Sequence, residues 1–175
     1  MKQTLKYILS VVMENLKYAE GKHAVSIALS SAIIVFVSGY LMEVTLLVSV
    51  LSIIAVLFYS VSIVYNILAL MSRNVVIKQG KKRKRKKRVS SKLNLTYFQD
   101  IVHFDALTYL TYLIDDYNFP KNYKVDSFEI DLAQQILLNA RVVNLKFIYY
   151  NKSIQVFAVG LVITLAMVMA VGFGV

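Results

Sequence analysis

The 175-residue chain contains no cysteine. That excludes a disulfide framework, a zinc site built on thiolates, a cysteine nucleophile and a redox pair. Only two histidines are present, His23 and His103, too few for a metal-binding cluster, and no metal site is expected. Acidic residues are scarce as well: 10 Asp and Glu stand against 20 Lys and Arg, a formal net charge of +10. Such an excess suits an anionic partner, nucleic acid or an acidic lipid surface, and the placement of the charges decides which. Apolar residues are abundant, 58% of the chain at a mean hydropathy of +0.60, more than an ordinary soluble domain carries.

Charge is missing from long stretches. Between His23 and Ser72 the one formal charge is Glu43, and Ser153 to Val175 has none. Three apolar blocks result: Ala24 to Met42, Leu46 to Met71 and Ser153 to Val175. At ~1.5 Å per residue each is long enough to cross a hydrocarbon core of ~30 Å. The blocks read as apolar all round, as expected where lipid is the solvent, so the fold class is an all-α membrane protein with three transmembrane helices. Every basic residue lies in the first 22 positions or between Arg73 and Lys152. The positive-inside rule then places the N-terminus in the cytoplasm, a hairpin of two spans after it (23–72), residues 73–152 in the cytoplasm, and the C-terminus outside. A cleavable signal peptide fits poorly, because the apolar stretch Tyr7 to Met13 is short and Glu14 follows it.

The intervening segments are expected to form a small cytoplasmic helical domain. Over residues 1–22, Leu5, Ile8, Val12, Leu16 and Ala19 share one helical face, opposite Lys2, Lys6, Ser10, Glu14 and Lys17. This amphipathic helix is expected to pack its apolar face on the other cytoplasmic helices rather than on the membrane surface. A basic linker, 73–93, carries eight consecutive cations: Lys81, Lys82, Arg83, Lys84, Arg85, Lys86, Lys87 and Arg88. The run serves either as a topology anchor or as a contact for acidic lipid or nucleic acid; like charges in a row read no base edges, so sequence-specific nucleic-acid recognition is not expected.

The region 94–152 is expected to be helical. Tyr97, Phe98, Ile101, Phe104, Leu107, Leu110, Leu113 and Ile114 recur at three- and four-residue spacing, predicting one helix over Asn94 to Tyr117. Asn118, Pro120 and Asn122 break it. Asp126 and Glu129 then have the spacing of a capping box, which starts a new helix near Ser127. No glycine or proline occurs from Asp126 to Val159, so this helix is expected to continue into the third span, 153–175. Its apolar stripe, Leu132, Ile136, Ala140, Val143 and Phe147, lies beside a polar one of Asp131, Gln135, Asn139 and Lys146. Within the spans, Ser26, Ser30, Ala158, Gly160, Gly172 and Gly174 are small enough for close helix contact.

These segments carry motifs in a recognisable order. Ala19-Glu20-Gly21-Lys22 precedes span one; Tyr97-Phe98-Gln99-Asp100-Ile101 is followed by Tyr109-Leu110; Asp131-Leu132-Ala133-Gln134-Gln135-Ile136 is followed by Asn139-Ala140 and Lys146-Phe147. In order and spacing the chain resembles the Pycsar-type transmembrane effectors of bacterial anti-phage signalling, over essentially its whole length. The resemblance implies an effector that responds to a cyclic pyrimidine mononucleotide, cUMP or cCMP, made by a partner cyclase on infection. It also implies that the inner membrane is then impaired and the infected cell dies. No enzyme activity and no cofactor is expected, because the sequence shows no nucleophile-base pair, phosphate-binding glycine loop or metal-ligand spacing.

A cyclic mononucleotide presents a phosphate, a ribose hydroxyl and a base. The matching positions offer Lys22 or Lys146 to the phosphate, Gln135 and Asn139 to sugar or base, and Tyr97 or Phe98 as a stacking wall. Asp100 and Asp131 would orient a lysine or accept the ribose hydroxyl. Glu20, Lys22, Asp100, Asp131 and Lys146 equally suit inter-helix ion pairs, with Gln135 and Asn139 as polar links. Three spans with almost no intramembrane charge make a poor pore alone, so a homo-oligomer is expected. The competing function is a constitutive membrane scaffold that holds acidic lipid or nucleic acid through Lys81 to Arg88.

Overall fold

A computed structural model describes residues 1–41, 45–72, 93–120 and 122–173. The chain is all-helical, with 83% helix and no strand among the described residues. Among the described residues five helices follow in order: α1 (Lys2–Ser38), α2 (Leu46–Leu70), α3 (Phe98–Ile101), α4 (Ala106–Asp116) and α5 (Ser127–Gly172). Helices α1, α2 and α5 are each long and apolar enough to cross a membrane. Glu43, the basic run Lys81 to Arg88, and Gly174 and Val175 lie outside the described residues.

The chain divides into two compact units, Met1–Ala19 with Ser72–Lys146 and Glu20–Met71 with Phe147–Val175. Helices α1 and α5 contribute to both. No break separates the amphipathic residues 2–20 from span one: α1 runs as a single rod of 37 residues through Gly21. One glycine weakens a helix by only about 1 kcal/mol, and no proline interrupts this stretch.

In the first unit, Leu5, Ile8, Val12 and Ala19 of α1 are buried, and Leu16 is half-buried. Buried in the same unit are Phe98, Ile101, Leu110 and Leu113 and the α5 stripe Leu132, Ile136, Ala140 and Val143. A large aliphatic side chain so buried contributes roughly 1.5–3 kcal/mol. The helix expected over Asn94 to Tyr117 is instead two helices, broken at residues 102–105. Two groups hold the break. The Asp105 carboxylate accepts from the Thr108 backbone N–H at 3.0 Å and from the Thr108 hydroxyl at 2.8 Å, capping α4. Across from it, Arg141 of α5 donates to the carbonyls of Val102 at 3.3 Å and Phe104 at 2.9 Å. As a consequence Leu107, expected to face the core, is 63% exposed, and Tyr97 is 41% exposed.

Helix α4 ends at Asn118, whose φ of 54° is the left-handed conformation that asparagine tolerates, and the Phe119 N–H returns to the Ile114 carbonyl at 2.9 Å. The capping box of α5 forms. Glu129 N–H donates to Asp126 Oδ1 at 2.8 Å, and Asp126 N–H donates to Glu129 Oε2 at 3.2 Å. Glu129 is fully buried, and its second oxygen accepts from the Tyr123 hydroxyl at 2.7 Å. Lys2 Nζ reaches Asp126 at 2.6 Å, so the first turn of α1 is tied to the first turn of α5.

The second unit is a three-helix bundle. Its buried positions on α2 are Val48, Ser52, Ala55, Tyr59, Ser62, Asn66 and Ala69, a strict alternation of four and three. On α1 the buried positions include His23, Ser26, Ser30 and Val37; on α5 they include Ser153, Gly160, Thr164 and Met167. This 3.5-residue period is that of helices packed by interdigitating ridges. The spans are therefore not apolar all round: their outward faces are, and their inward stripes are largely polar or small. Lipid tails are as apolar as leucine, so small side chains and interhelical hydrogen bonds, rather than hydrophobic burial, hold such a bundle together.

Candidate functional site

Seven of the nine residues expected at a ligand site fall in the first unit: Tyr97, Phe98, Asp100, Asp131, Gln135, Asn139 and Lys146. Glu20 and Lys22 fall in the second. In the first unit the seven divide by exposure. Phe98 belongs to the core at 4% exposure, with Tyr97 against it at 4.9 Å between ring centres, so the ring open to a ligand is Tyr97. Asp100 closes its own turn by accepting from the Asn94 N–H at 3.1 Å. Asp131 and Gln135 are exposed and Asn139 is half-buried; spaced four residues apart, they form one stripe of α5 beside its core face. Lys146, expected on that stripe, is buried.

The exposed stripe presents a carboxylate and two amides within two helical turns, which is donor and acceptor capacity for a sugar or a base edge. Arg141 was not among the expected residues. Its guanidinium is committed to two carbonyls and positions the α3–α4 connection; the sequence marked it only as a lone cation between apolar positions.

In the second unit, Lys22 lies over the rings of Phe147, at 5.6 Å, and Tyr150, at 5.2 Å. That cation–π placement is one for which a phosphate would have to compete. The neighbouring His23 meets the edge of the Tyr150 ring at 5.6 Å between centres. His23 is fully buried, and its Nδ1 lies 2.6 Å from Asn66 Oδ1. The Asn66 amide nitrogen faces three oxygens: the Ser62 carbonyl at 2.9 Å, Ser153 Oγ at 2.6 Å and Ser26 Oγ at 3.1 Å. A carbonyl can only accept, so the amide orientation is fixed and the proton shared with His23 sits on the imidazole Nδ1.

Ser62 Oγ and Ser153 Oγ are 2.8 Å apart. Farther along the bundle, Tyr59 pairs with Thr164 at 3.1 Å, and Ser52 donates to the Val48 carbonyl at 2.8 Å while lying 3.0 Å from Met167 Sδ. Composition hides this network, since serine, threonine and tyrosine barely lower hydropathy. The signal that could have found it is the four-three recurrence of Ser52, Tyr59, Ser62 and Asn66.

No curated protein and no solved structure matches the chain. A family model does: that of the Pycsar effector protein domain, over residues 4–173. The match takes in both units and all three long apolar helices. The chain is therefore a multi-pass membrane protein and belongs to the Pycsar effector family, the effectors of an anti-phage cyclic-nucleotide signalling system.

Proposed function

We propose that this effector is switched on by a cyclic pyrimidine mononucleotide, cUMP or cCMP, and that the switched form breaches the bacterial inner membrane as a homo-oligomer. The messenger binds in the first unit, where Asp131, Gln135 and Asn139 engage the sugar or base, Tyr97 stacks, Phe98 backs it, and Asp100 and Lys146 complete the polar set. Lys22 and Glu20 mark the entry of span one. The N-terminus and the first unit face the cytoplasm, where the messenger is made, and the C-terminus faces outward. The protein acts by rearrangement and not by catalysis.

The observation that carries this reading is helix continuity. Helices α1 and α5 each begin in the first unit and run without interruption into the second. A helix transmits rotation or translation at its ligand end to its far end, provided the ligand binds one arrangement more tightly than the other. A hundredfold preference, about 2.7 kcal/mol, would move a resting population of about 1% switched to about half.

Purified protein in anionic vesicles, titrated with cyclic UMP, cyclic CMP, cyclic AMP and linear UMP while thermal stability and dye leakage are followed, tests the proposal. Selective, saturable stabilisation by a cyclic pyrimidine nucleotide together with leakage is expected. Indifference to all four, with salt-dependent vesicle binding lost on neutralising Lys81 to Arg88, would instead establish a constitutive lipid-binding scaffold.

A further inference from the structure

Because the outward faces of the spans are apolar, any water-filled path through this protein has to be lined from elsewhere. Val25, Leu29, Leu57, Val64, Val162 and Leu165 are among the side chains exposed there. The exposed hydroxyls Ser38 and Ser60 donate to carbonyls of their own helices, at 2.7 and 2.8 Å. The inward stripes have the opposite character. From Asn66 to Ser52 on α2, polar groups extend over 14 residues, about 21 Å at ~1.5 Å per residue, against a hydrocarbon core of ~30 Å.

The polar seam ends at an apolar plug. Val37, Val48 and Met167, all fully buried, belong to one cluster with Ala55 and Tyr59. Met167 is also the residue whose sulfur faces Ser52, so the last polar group of the seam abuts the plug.

One group in the seam is unsatisfied. Ser30 Oγ is fully buried, one turn beyond Ser26 on the same stripe, and has no hydrogen-bond partner. Buried inside the bundle, such a hydroxyl costs about 1–3 kcal/mol with no return. Its neighbours at the well-connected end close on one another: Asn66, Ser62, Ser153, Ser26 and His23 are joined by hydrogen bonds among themselves.

We infer that the seam of His23, Ser26, Ser30, Ser62, Asn66 and Ser153 is the lining of the hydrophilic path that opens on activation, with Val37, Val48 and Met167 as its hydrophobic gate. The permeants are water and small hydrated ions. In the closed bundle the lining groups other than Ser30 bond to one another. When the helices part, water takes over those bonds at little enthalpic cost and satisfies Ser30 as well. The plug stays dry until the helices separate, as apolar constrictions do in channels. The inference rests on the proposed function for the trigger, not for the identity of the lining.

The absence of any cysteine makes the test direct, because each introduced thiol is unique. Ser26→Cys, Ser30→Cys, Ser62→Cys and Ser153→Cys place near-isosteric thiols in the seam, and Ser60→Cys places one on the outward face. Each variant is put into vesicles with cyclic UMP or cyclic CMP and a membrane-impermeant cationic methanethiosulfonate. The seam thiols are expected to be protected without nucleotide, to be modified while dye leaks, and to lose leakage once modified; Ser60→Cys stays unmodified. Leakage with the seam thiols still protected overturns the lining and leaves the proposed function standing. A second arm needs no messenger: Val37→Thr with Val48→Thr, checked for unchanged helicity, is expected to leak by itself, and thiol modification at Ser62→Cys in that background should stop it. Tight vesicles from this folded variant overturn the gate, and leakage insensitive to the thiol reagent overturns the lining. Because that arm bypasses the nucleotide, a failure of nucleotide gating in the first arm counts against the proposed function alone.

Discussion

His23 and Asn66 stand 43 positions apart in the chain and meet, imidazole nitrogen to amide oxygen, at 2.6 Å with neither residue exposed to solvent. That bond links α1 to α2, and the same asparagine reaches α5 through Ser153 at 2.6 Å. One side chain thus joins all three spans.

Asn66→Leu keeps the branched shape of the side chain and removes every one of these bonds. The bundle is expected to lose about 1–2 kcal/mol, more than a single interhelical bond in a membrane is worth, because the links through Asn66 to His23 and Ser26 of α1 and to Ser153 of α5 are lost together. Reversible unfolding in mixed micelles measures it. Ser26→Ala, which removes one link at 3.1 Å, should cost about 0.6 kcal/mol.

A Cβ added at Gly160 would lie 3.2 Å from two ring carbons of Tyr59 and 3.3 Å from Phe58 Cβ. The Phe58 Cβ is fixed to its helix and cannot swing away, and the Tyr59 ring is held by Thr164 and by Phe157 at 5.3 Å between centres. Gly160→Leu is therefore expected to force α2 and α5 apart at a cost of about 1–3 kcal/mol. Gly21→Ala meets nothing within 4 Å and lies inside α1, so it should raise stability by up to about 1 kcal/mol. Paired thermal melts distinguish the two directions.

Acid should loosen the first unit. The hydrogen bond from Lys2, then that from the Glu129 N–H, lowers the Asp126 carboxyl below its ordinary range, and the bonds from Thr108 do the same for Asp105. A lowered folded pKa gives stability that is complete above the unfolded value, near ~3.9, and is lost as pH falls through the folded one. Lys2 is raised by the same bond to Asp126, so its share is complete below ~10.4 and is lost only as pH rises past its folded value. The melting temperature should be level between these limits and fall below about pH 4. Asp126→Asn, which keeps an oxygen for the Glu129 N–H, should flatten part of the acid limb; an unchanged limb would assign it to Asp105.

Tyr109 is fully buried and donates to the Leu95 carbonyl at 2.7 Å, and burial pushes its phenol well above the ordinary value. Tyr109→Phe leaves that carbonyl unpaired inside the first unit. A loss of about 1–2 kcal/mol is expected, with no change in spectroscopic tyrosine titration near pH ~10 beyond the other residues' own.

Asp131 and Gln135 are exposed, so replacing either by Ala should leave the melt within about 0.5 kcal/mol of the parent. The nucleotide-induced shift in melting temperature should disappear in both. A retained shift would move the messenger site away from this face of α5.

The sequence made much of this protein legible. Three charge-free blocks imposed spans because a helix is the one open structure that satisfies its own backbone in lipid. The Asp126 and Glu129 pair announced the start of α5 because capping is local chemistry, read within four residues. The 94–117 region reads as one helix and folds as two because the groups that break it act from outside the periodic pattern: Asp105 turns back on Thr108, and Arg141 arrives from 37 and 39 positions away. Among the expected ligand residues, spacing placed Asp131, Gln135 and Asn139 on one stripe but could not show that Phe98 and Lys146 are buried. Periodicity and charge alone determined that this chain enters the membrane three times and carries helical residues between its spans. That its spans turn hydroxyls, an amide and an imidazole toward one another was decided by tertiary structure, because a serine in a greasy helix costs hydropathy almost nothing until another helix supplies its partner.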